Sequence, residues 1–240
     1  MKALIRTGYG LWCWVLFVPL ATAALVIALP APSVTLRRRI ARAAARAFFR
    51  GAGIRLAVHG IERLPLVPCV VVANHTSYID GVILQAALPP RFAFVIKKEM
   101  SRVPIASLLL RRLGSEFVER FDRHKGAVDA RRVLRAAAGG QALAFFPEGT
   151  FTERIGLGRF HAGAFVAAHR NQLPLVPTAI HGARDVLPAT ALLPRRGIIT
   201  VEILAPLAVP APDARDGAQR LRHAARAAIL ARTGGPDLDH

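Results

Sequence analysis

Residues 69–81 read CVVVANHTSYIDG, and the order of residue types in this stretch decides which fold the sequence predicts. The run CVVVA is apolar throughout, which is typical of a strand buried on both faces of a sheet. Asn, Thr and Ser then supply the side chains that begin helices, and an apolar helical stretch covers 79–88. The segment therefore predicts a strand, a turn and a helix in succession.

The same alternation continues along the rest of the chain. We predict further strands at 92–96, 142–146, 175–180 and 198–204, and further helices at 102–113, 125–138, 162–171 and 214–231. Short apolar runs between helical stretches indicate an α/β layered domain with a central, mostly parallel sheet flanked by helices. We place this domain at residues 53–240, and expect its functional residues where strands end and loops begin.

The N-terminal region, residues 1–52, begins with an apolar segment. Residues 11–29 carry no charge, and a helix of that length measures about 28 Å, close to the thickness of the hydrocarbon core of a bilayer. Pro19 argues against a straight helix. A cleaved signal peptide is the alternative, but the apolar run is long for one and its flank is basic. We predict a membrane anchor that either crosses the bilayer once or inserts halfway.

A basic helix is predicted to follow the anchor. The stretch at 33–53 reads SVTLRRRIARAAARAFFRGAG, with apolar residues at helical spacing and six arginines, at positions 37, 38, 39, 42, 46 and 50. Such a helix favours an anionic membrane surface, although it can instead pack its alanine side on the domain. Because the arginines follow the apolar run, we expect the domain on the cytoplasmic side of the inner membrane.

Composition points to an anionic partner. The net charge is +18, although part of the arginine excess reflects a general Arg and Ala bias. Two cysteines are too few for a disulfide framework, and no Cys/His cluster has the spacing of metal ligands, so we expect no metal. Nucleic acid is a weaker alternative partner, because the sequence lacks an aromatic-rich basic strand and a recognition-helix signature.

His75 and Asp80 are the candidate catalytic pair. A carboxylate beside an imidazole fixes the tautomer of the ring and stabilises the imidazolium that forms when the other nitrogen takes a proton from a hydroxyl. The alternative is a structural or metal-binding histidine. His124 and Asp129 repeat the spacing within a charged stretch, which we interpret as coincidence. A serine hydrolase is disfavoured because the sequence contains no Gly-x-Ser-x-Gly elbow.

Three other segments carry candidate residues. FFPEGTF at 145–151 follows a buried strand and offers Glu148, Gly149 and the hydroxyl of Thr150 in a turn. GSEFVER at 114–120 ends in Arg120, a residue type suited to binding phosphate, or simply a surface arginine. LVPTAIHG at 175–182 reads as a core strand with a tight turn.

Together, in this order, the four segments resemble the 1-acyl-glycerol-3-phosphate acyltransferase family of glycerophospholipid acyltransferases. The resemblance covers about residues 55–210. The matching positions are His75 and Asp80 in the first block, Gly114, Phe117 and Arg120 in the second, 146–150 in the third, and Val176, Pro177 and Gly182 in the fourth.

The resemblance implies an enzyme that transfers a fatty acyl group from acyl-CoA or acyl-carrier protein to the sn-2 hydroxyl of lysophosphatidic acid, forming phosphatidic acid without a further cofactor. Its partners would be membrane lipids and these substrates, not nucleic acid. His75 and Asp80 would be catalytic. The substrate-binding residues implied are Lys97, Lys98, Gly114, Arg120, Glu148, Gly149 and Thr150. Backbone amides around Gly149 and Thr150 are candidates for stabilising the oxyanion.

The sequence departs from the family pattern at two positions. Phe151 stands where the family commonly has Arg or another polar residue, and Glu119 stands where Asp is frequent. The first change removes a possible contact to an anion. A different acceptor, such as a lyso-aminolipid or a lysophospholipid with a larger headgroup, therefore remains open. The last residues, GGPDLDH at 234–240, are expected to be frayed.

Overall fold

The computed structural model describes residues 2–118 and 123–239. Its strands are β1 (Arg55–His59), β2 (Val70–Ala73), β3 (Phe92–Lys97), β4 (Glu116–Val118), β5 (Ala142–Phe145), β6 (Leu175–His181) and β7 (Ile198–Ile203). Its helices are α1 (Lys2–Ala28), α2 (Val34–Gly51), α3 (Asp80–Ala87), α4 (Pro104–Arg112), α5 (Arg123–Ala138), α6 (Gly163–Arg170), α7 (Ala183–Val186) and α8 (Gly217–Thr233).

The described strands form one sheet in the order β1-β7-β6-β2-β5-β3-β4. All neighbouring pairs are parallel except β6 and β7. The predicted α/β fold with a mostly parallel central sheet is thus confirmed, and each predicted strand appears with its ends shifted by no more than one residue. The edge strand β1 was not predicted, because RLAVH is short and exposed at both ends.

Strand β2 lies at the centre of the sheet and is buried on both faces. Because side chains alternate along a strand, Val71 and Ala73 join the core beneath α2 and α3, whereas Val70 and Val72 join the core beneath α5, α6 and α8. This double burial explains why β2 reads as a continuous apolar run. It also fixes the end of β2, from which the His75 turn leaves the sheet.

Helix α1 is continuous through Pro19, contrary to the expectation that this proline would disturb it. Helices in apolar surroundings tolerate proline, because neighbouring helices support the freed backbone groups. Among the described helices, one segment, Leu4–Ala28, is long and apolar enough to cross a membrane. One face of it, including Cys13 and Ala28, is buried against the rest of the protein, while Val15, Val18 and other apolar side chains are exposed.

Four arginines of α2, at positions 37, 38, 42 and 46, donate to carbonyls of the domain, which corrects the expectation that the basic face of this helix meets lipid. The buried guanidinium of Arg38 donates to the carbonyls of Leu113 (2.8 Å) and Arg91 (2.9 Å). Arg42 and Arg46 both donate to the carbonyl of Ala86, at 3.3 and 2.9 Å. Arg42 and Arg46 bind here because the last carbonyls of α3 lack partners within the helix and attract cations. Arg39 and Arg50 are exposed and are the arginines of α2 that remain available to a lipid surface.

The sequence suggested frayed C-terminal residues, and this expectation is wrong for residues 235–239. They pair with the loop around Leu157 by backbone hydrogen bonds, and Asp237 forms an ion pair with Arg226 of α8. A short polar tail carries no periodic pattern, so these long-range contacts had no signal in the sequence.

Candidate active site

The turn between β2 and α3 brings His75 and Asp80 together. His75 Nδ1 lies 2.8 Å from Asp80 Oδ2, and the same oxygen accepts from the backbone N–H groups of Thr76 (2.6 Å) and Ser77 (2.8 Å). Asp80 is the first residue of α3 and is fully buried. Its carboxylate therefore lies at the N-terminus of a helix, where negative charge is stabilised, and is held by three donors on one oxygen.

This arrangement settles the tautomer of His75. A carboxylate only accepts hydrogen bonds, so the neutral ring carries its proton on Nδ1 and leaves a lone pair on Nε2. The side chain of His75 keeps 18% of its exposure, whereas that of Asp80 has none. Nε2 is thus the atom able to take a proton from a bound molecule.

Glu148 supports the backbone of His75. It lies in the turn that follows β5, and its Oε1 accepts from the N–H of His75 at 2.7 Å while its Oε2 accepts from the N–H of Gly158 at 2.8 Å. Burial raises the pKa of Glu148 above its ordinary value, and the two amide hydrogen bonds act in the opposite direction. Sequence reasoning suggested a substrate contact for Glu148, and the geometry gives it a structural task at the site.

Several aromatic side chains pack around the imidazole of His75. The ring of Phe146 stacks on it with centroids 4.4 Å apart, and the ring of Phe151 meets it edge-on at 4.8 Å. Tyr78 packs edge-on against Phe151 at 4.6 Å. The sequence analysis assigned no role to Tyr78 or to the ring of Phe146. The sequence feature that could have indicated a role is that Tyr78 lies within the first block and Phe146 within the third. These rings confine His75 and reduce the access of water to it.

His75 lines a cavity of about 440 Å³ whose walls include residues of the N-terminal helices α1 and α2. This volume is within the range of ligand pockets in proteins. The residues that line it include Phe17 and Leu20 of α1, Phe48 of α2, Val82 of α3, Phe94 of β3 and Leu110 of α4. Its walls are overwhelmingly apolar. Such a cavity suits a hydrocarbon chain whose reactive end lies at the imidazole.

The remaining predicted site residues fall into different places. Lys97, Gly149 and Thr150 line the cavity, whereas Lys98 begins the short 3₁₀ turn after β3. The N–H of Gly149 donates to the carbonyl of Phe146 at 3.0 Å, so the oxyanion prediction now rests on the amide of Thr150.

Gly114 follows α4 with φ of +67°, and an added Cβ would lie 3.1 Å from Arg38 Nη2. Its position indicates a packing role. Arg120 and Glu119 lie outside the described residues, and so do the side chains of His124 and Asp129.

The fourth block, at 175–182, and the residues just after it hold the first block in place by hydrogen bonds. The side-chain amide of Asn74 donates to the carbonyl of Ile180 (3.0 Å) and accepts from its N–H (2.7 Å), and the hydroxyl of Ser77 donates to the carbonyl of Leu187 at 2.6 Å. Gly182 has φ of +75°, and a Cβ there would lie 2.0 Å from a backbone oxygen of Ile198. The strand and tight turn predicted for this block are present, and they hold the His75 turn in place.

The match to a protein family coincides with these segments. The model of the Acyltransferase family covers residues 55–181, from β1 through the His75 and Glu148 turns to β6. The chain belongs to the Acyltransferase family. Family membership agrees with the resemblance that the four sequence blocks indicated.

Individual members of the Acyltransferase family are moderately similar to this chain. A chloroplastic 1-acyl-sn-glycerol-3-phosphate acyltransferase of Brassica napus is 30% identical over 133 residues, 55% of this chain and 38% of that protein. The chain thus spans less than half the length of that relative. A lyso-ornithine lipid O-acyltransferase of Pseudomonas aeruginosa is 28% identical over 251 residues, 96% of this chain and 91% of that protein.

A solved structure shares the whole fold. The 1-acyl-sn-glycerophosphate acyltransferase of Thermotoga maritima superposes with a TM-score of 0.79 at 19% identity, covering 97% of this chain and 96% of that chain. The N-terminal helices α1 and α2 are therefore part of the fold that this chain shares with the Thermotoga protein.

Proposed function

We propose that this protein transfers a fatty acyl group from a thioester to the hydroxyl of a lysolipid, with His75 as general base. One observation carries the proposal. The imidazole held by Asp80 lines an apolar cavity, so a proton acceptor lies beside a site for a hydrocarbon chain. Membership of the Acyltransferase family supports the same reaction.

The proposed reaction is a direct transfer. The acceptor hydroxyl gives its proton to His75 Nε2 as its oxygen attacks the thioester carbonyl, and Asp80 stabilises the imidazolium. The tetrahedral intermediate then breaks the carbon–sulfur bond, and the proton on Nε2 passes to the departing thiolate. An ester forms, a thioester is lost, and His75 returns to its neutral state. The N–H of Thr150 is the candidate donor to the oxyanion.

Lysophosphatidic acid is the acceptor that we propose first. Lys97 in the cavity wall offers a cation to a phosphate, and Arg120 is a second candidate from the sequence blocks. The Brassica relative is named for this acceptor. The donor, acyl-CoA or acyl-carrier protein, is proposed from the family alone, and no further cofactor or metal is invoked.

A lyso-aminolipid is the second candidate, and Phe151 favours it. The ring of Phe151 occupies a place beside His75 that would otherwise be open to a polar contact with a phosphate. An aromatic ring instead attracts an ammonium group through its π face. The Pseudomonas relative, which matches almost the whole chain, is named for such an acceptor.

We further propose that α1 lies along the domain and inserts halfway into the cytoplasmic leaflet of the inner membrane. The hydroxyl of Tyr9 donates to the carbonyl of Ala52 at 2.8 Å, and the indole of Trp14 donates to that of Leu192 at 2.9 Å. A helix attached to the domain along its length does not cross a bilayer unless the domain enters it too. Its exposed apolar face then contacts lipid, and a lipid substrate reaches the cavity from the side.

A competition assay tests the proposed acceptor. Purified protein in anionic vesicles receives labelled acyl-CoA or acyl-carrier protein together with equal amounts of lysophosphatidic acid and lyso-ornithine lipid. Label in phosphatidic acid supports the first candidate, and label in the diacylated ornithine lipid supports the second. Absence of label from both products, with either donor, would contradict the proposed function.

A further inference from the structure

The C-terminal residues 235–239, here called the C-terminal strap, are joined to the loop beside the active site. The N–H of Leu157 donates to the carbonyl of Pro236 at 3.0 Å, and the N–H of Leu238 donates to the carbonyl of Leu157 at 3.0 Å. Leu157 and Asp237 form a parallel bridge between the two segments. The side chain of Leu157 is buried in the core, so the strap is attached to a fixed point.

Arg226 of α8 clamps this junction. The side chain of Arg226 is 10% exposed. Its Nη2 donates to the carbonyl of Leu157 at 3.0 Å and also to Asp237 Oδ1. Its Nη1 donates to Asp237 Oδ2 at 2.6 Å. Hydrogen bonds to Asp237 raise the pKa of Arg226. The strap therefore supplies the carboxylates that make a buried guanidinium tolerable, Asp237 by hydrogen bonds and Asp239 by an ion pair of 3.6 Å, because a buried charge without a partner is strongly unfavourable.

The clamped loop continues directly into the support of His75. Gly158, the residue after Leu157, donates its N–H to Glu148, whose other oxygen accepts from the N–H of His75. Two glycines make this close contact possible. An added Cβ at Gly156 would lie 2.5 Å from the carbonyl oxygen of Pro236, and one at Gly158 would lie 2.9 Å from Glu148 Oε2.

We propose that Arg226 is a positioning residue for His75, acting with Asp237 of the C-terminal strap through Leu157, Gly158 and Glu148. The clamp fixes where the Gly158 amide meets Glu148, and Glu148 fixes the backbone from which the imidazole projects. The effect of Arg226 on turnover rests on the proposed function. The structural link from Arg226 to His75 and the turnover are therefore measured separately.

Loosening the clamp is expected to reduce the rate of the chemical step more than substrate binding. A displacement of about 1 Å in catalytic geometry costs up to about a hundredfold in rate. The substrate cavity is lined by residues of other elements, and neither Arg226 nor the strap contributes to it. We therefore expect kcat to fall while KM stays close to the wild-type value.

The test uses the full chain with Asp237→Asn, which keeps the size of the side chain and removes its charge. The matched control is Asp216→Asn, because Asp216 forms an exposed ion pair with Arg220 of the same helix at 3.3 Å. Hydrogen exchange is measured by mass spectrometry without substrate, on peptides that contain His75 and Gly158. kcat and KM for acyl transfer are measured on the same samples, and a deletion of residues 236–240 serves as the second variant.

We expect Asp237→Asn to accelerate exchange in both peptides and to reduce kcat by about tenfold, with KM within about twofold, since its hydrogen bonds to Arg226 are charge-assisted. The control should match wild type, and the deletion should have a larger effect in the same direction. Unchanged exchange at His75 and Gly158 in the two variants would overturn the link, and faster exchange with unchanged kcat would overturn its role in turnover. If wild type transfers no acyl group, the exchange result still decides the link.

Discussion

Glu148 holds the backbone of His75, with 2.7 Å between its Oε1 and the N–H of His75. The two residues are far apart in the sequence and belong to different blocks, yet they form one unit in the fold. The imidazole is thus fixed twice, at its ring by Asp80 and at its backbone by Glu148.

The Glu148→Gln variant should separate stability from activity. Burial raises the pKa of Glu148 in the folded protein, so the native state binds this proton more tightly than the unfolded state. Stability from this group is then present below the ordinary pKa of about 4.3 and is lost as pH rises through the raised value. The variant lacks this titration, so its Tm should rise relative to wild type as pH increases.

Turnover of Glu148→Gln should nevertheless fall by about tenfold, since the amide group has only one accepting oxygen for two backbone N–H groups. Thermal melts from about pH 5 to about pH 8, with kcat at the upper pH, check both parts. The control is Glu202→Gln, because Glu202 of β7 forms a partly exposed ion pair with Arg232 of α8. A Tm that declines relative to wild type with rising pH would contradict the assignment.

Replacement of Asp80 by Asn should abolish most turnover without preventing substrate binding. The Asn side chain can donate to Nδ1 of His75, which favours the wrong tautomer and removes the charge that stabilises the imidazolium. A loss of about 10³ to 10⁴ in kcat is expected, as in other enzymes with such a pair. Steady-state kinetics and binding of the donor measure the two effects, and a kcat within tenfold of wild type would exclude this role for Asp80.

Gly158→Ala tests the contact between the clamped loop and Glu148. The new Cβ would lie 2.9 Å from Glu148 Oε2, so the carboxylate must move and release part of its hold on His75. We expect a loss of about 1–3 kcal/mol in unfolding free energy together with a lower kcat. Gly163→Ala, at the start of α6 with nothing within 4 Å, is the matched control and should not destabilise. Equal behaviour of the two variants would refute the proposed contact.

Phe151→Arg tests what selects the acceptor. A guanidinium beside His75 would restore a cation for a phosphate and remove a ring that suits an ammonium group. The ratio of kcat/KM for lysophosphatidic acid to that for lyso-ornithine lipid should rise by about tenfold, or roughly 1.4 kcal/mol of differential binding. Ile155→Arg adds the same charge at a side chain that is 71% exposed, and should leave the ratio unchanged. An unchanged ratio in Phe151→Arg would remove this residue from acceptor selection.

The sequence allowed the sheet and the contact between His75 and Asp80 to be predicted because both depend on local patterns. The apolar run of β2 reports burial on both faces, and His75 and Asp80 lie within one turn of each other. The functions of Glu148 and Arg226 depend on partners brought close only by the fold. Arg38 shows the same limit, since its place in a basic run suggested lipid and its actual partners are carbonyls at the ends of other elements.

The role of His75 is tested by acyl transfer in the His75→Ala variant, assayed in vesicles beside wild type with a labelled acyl thioester and the preferred lysolipid. Melting curves and vesicle binding establish that the variant is folded and bound to lipid. We expect a loss of at least about 10³ in kcat with Tm and vesicle binding near wild type, because the only proposed proton acceptor is removed. Turnover within about tenfold of wild type would contradict general-base catalysis by His75.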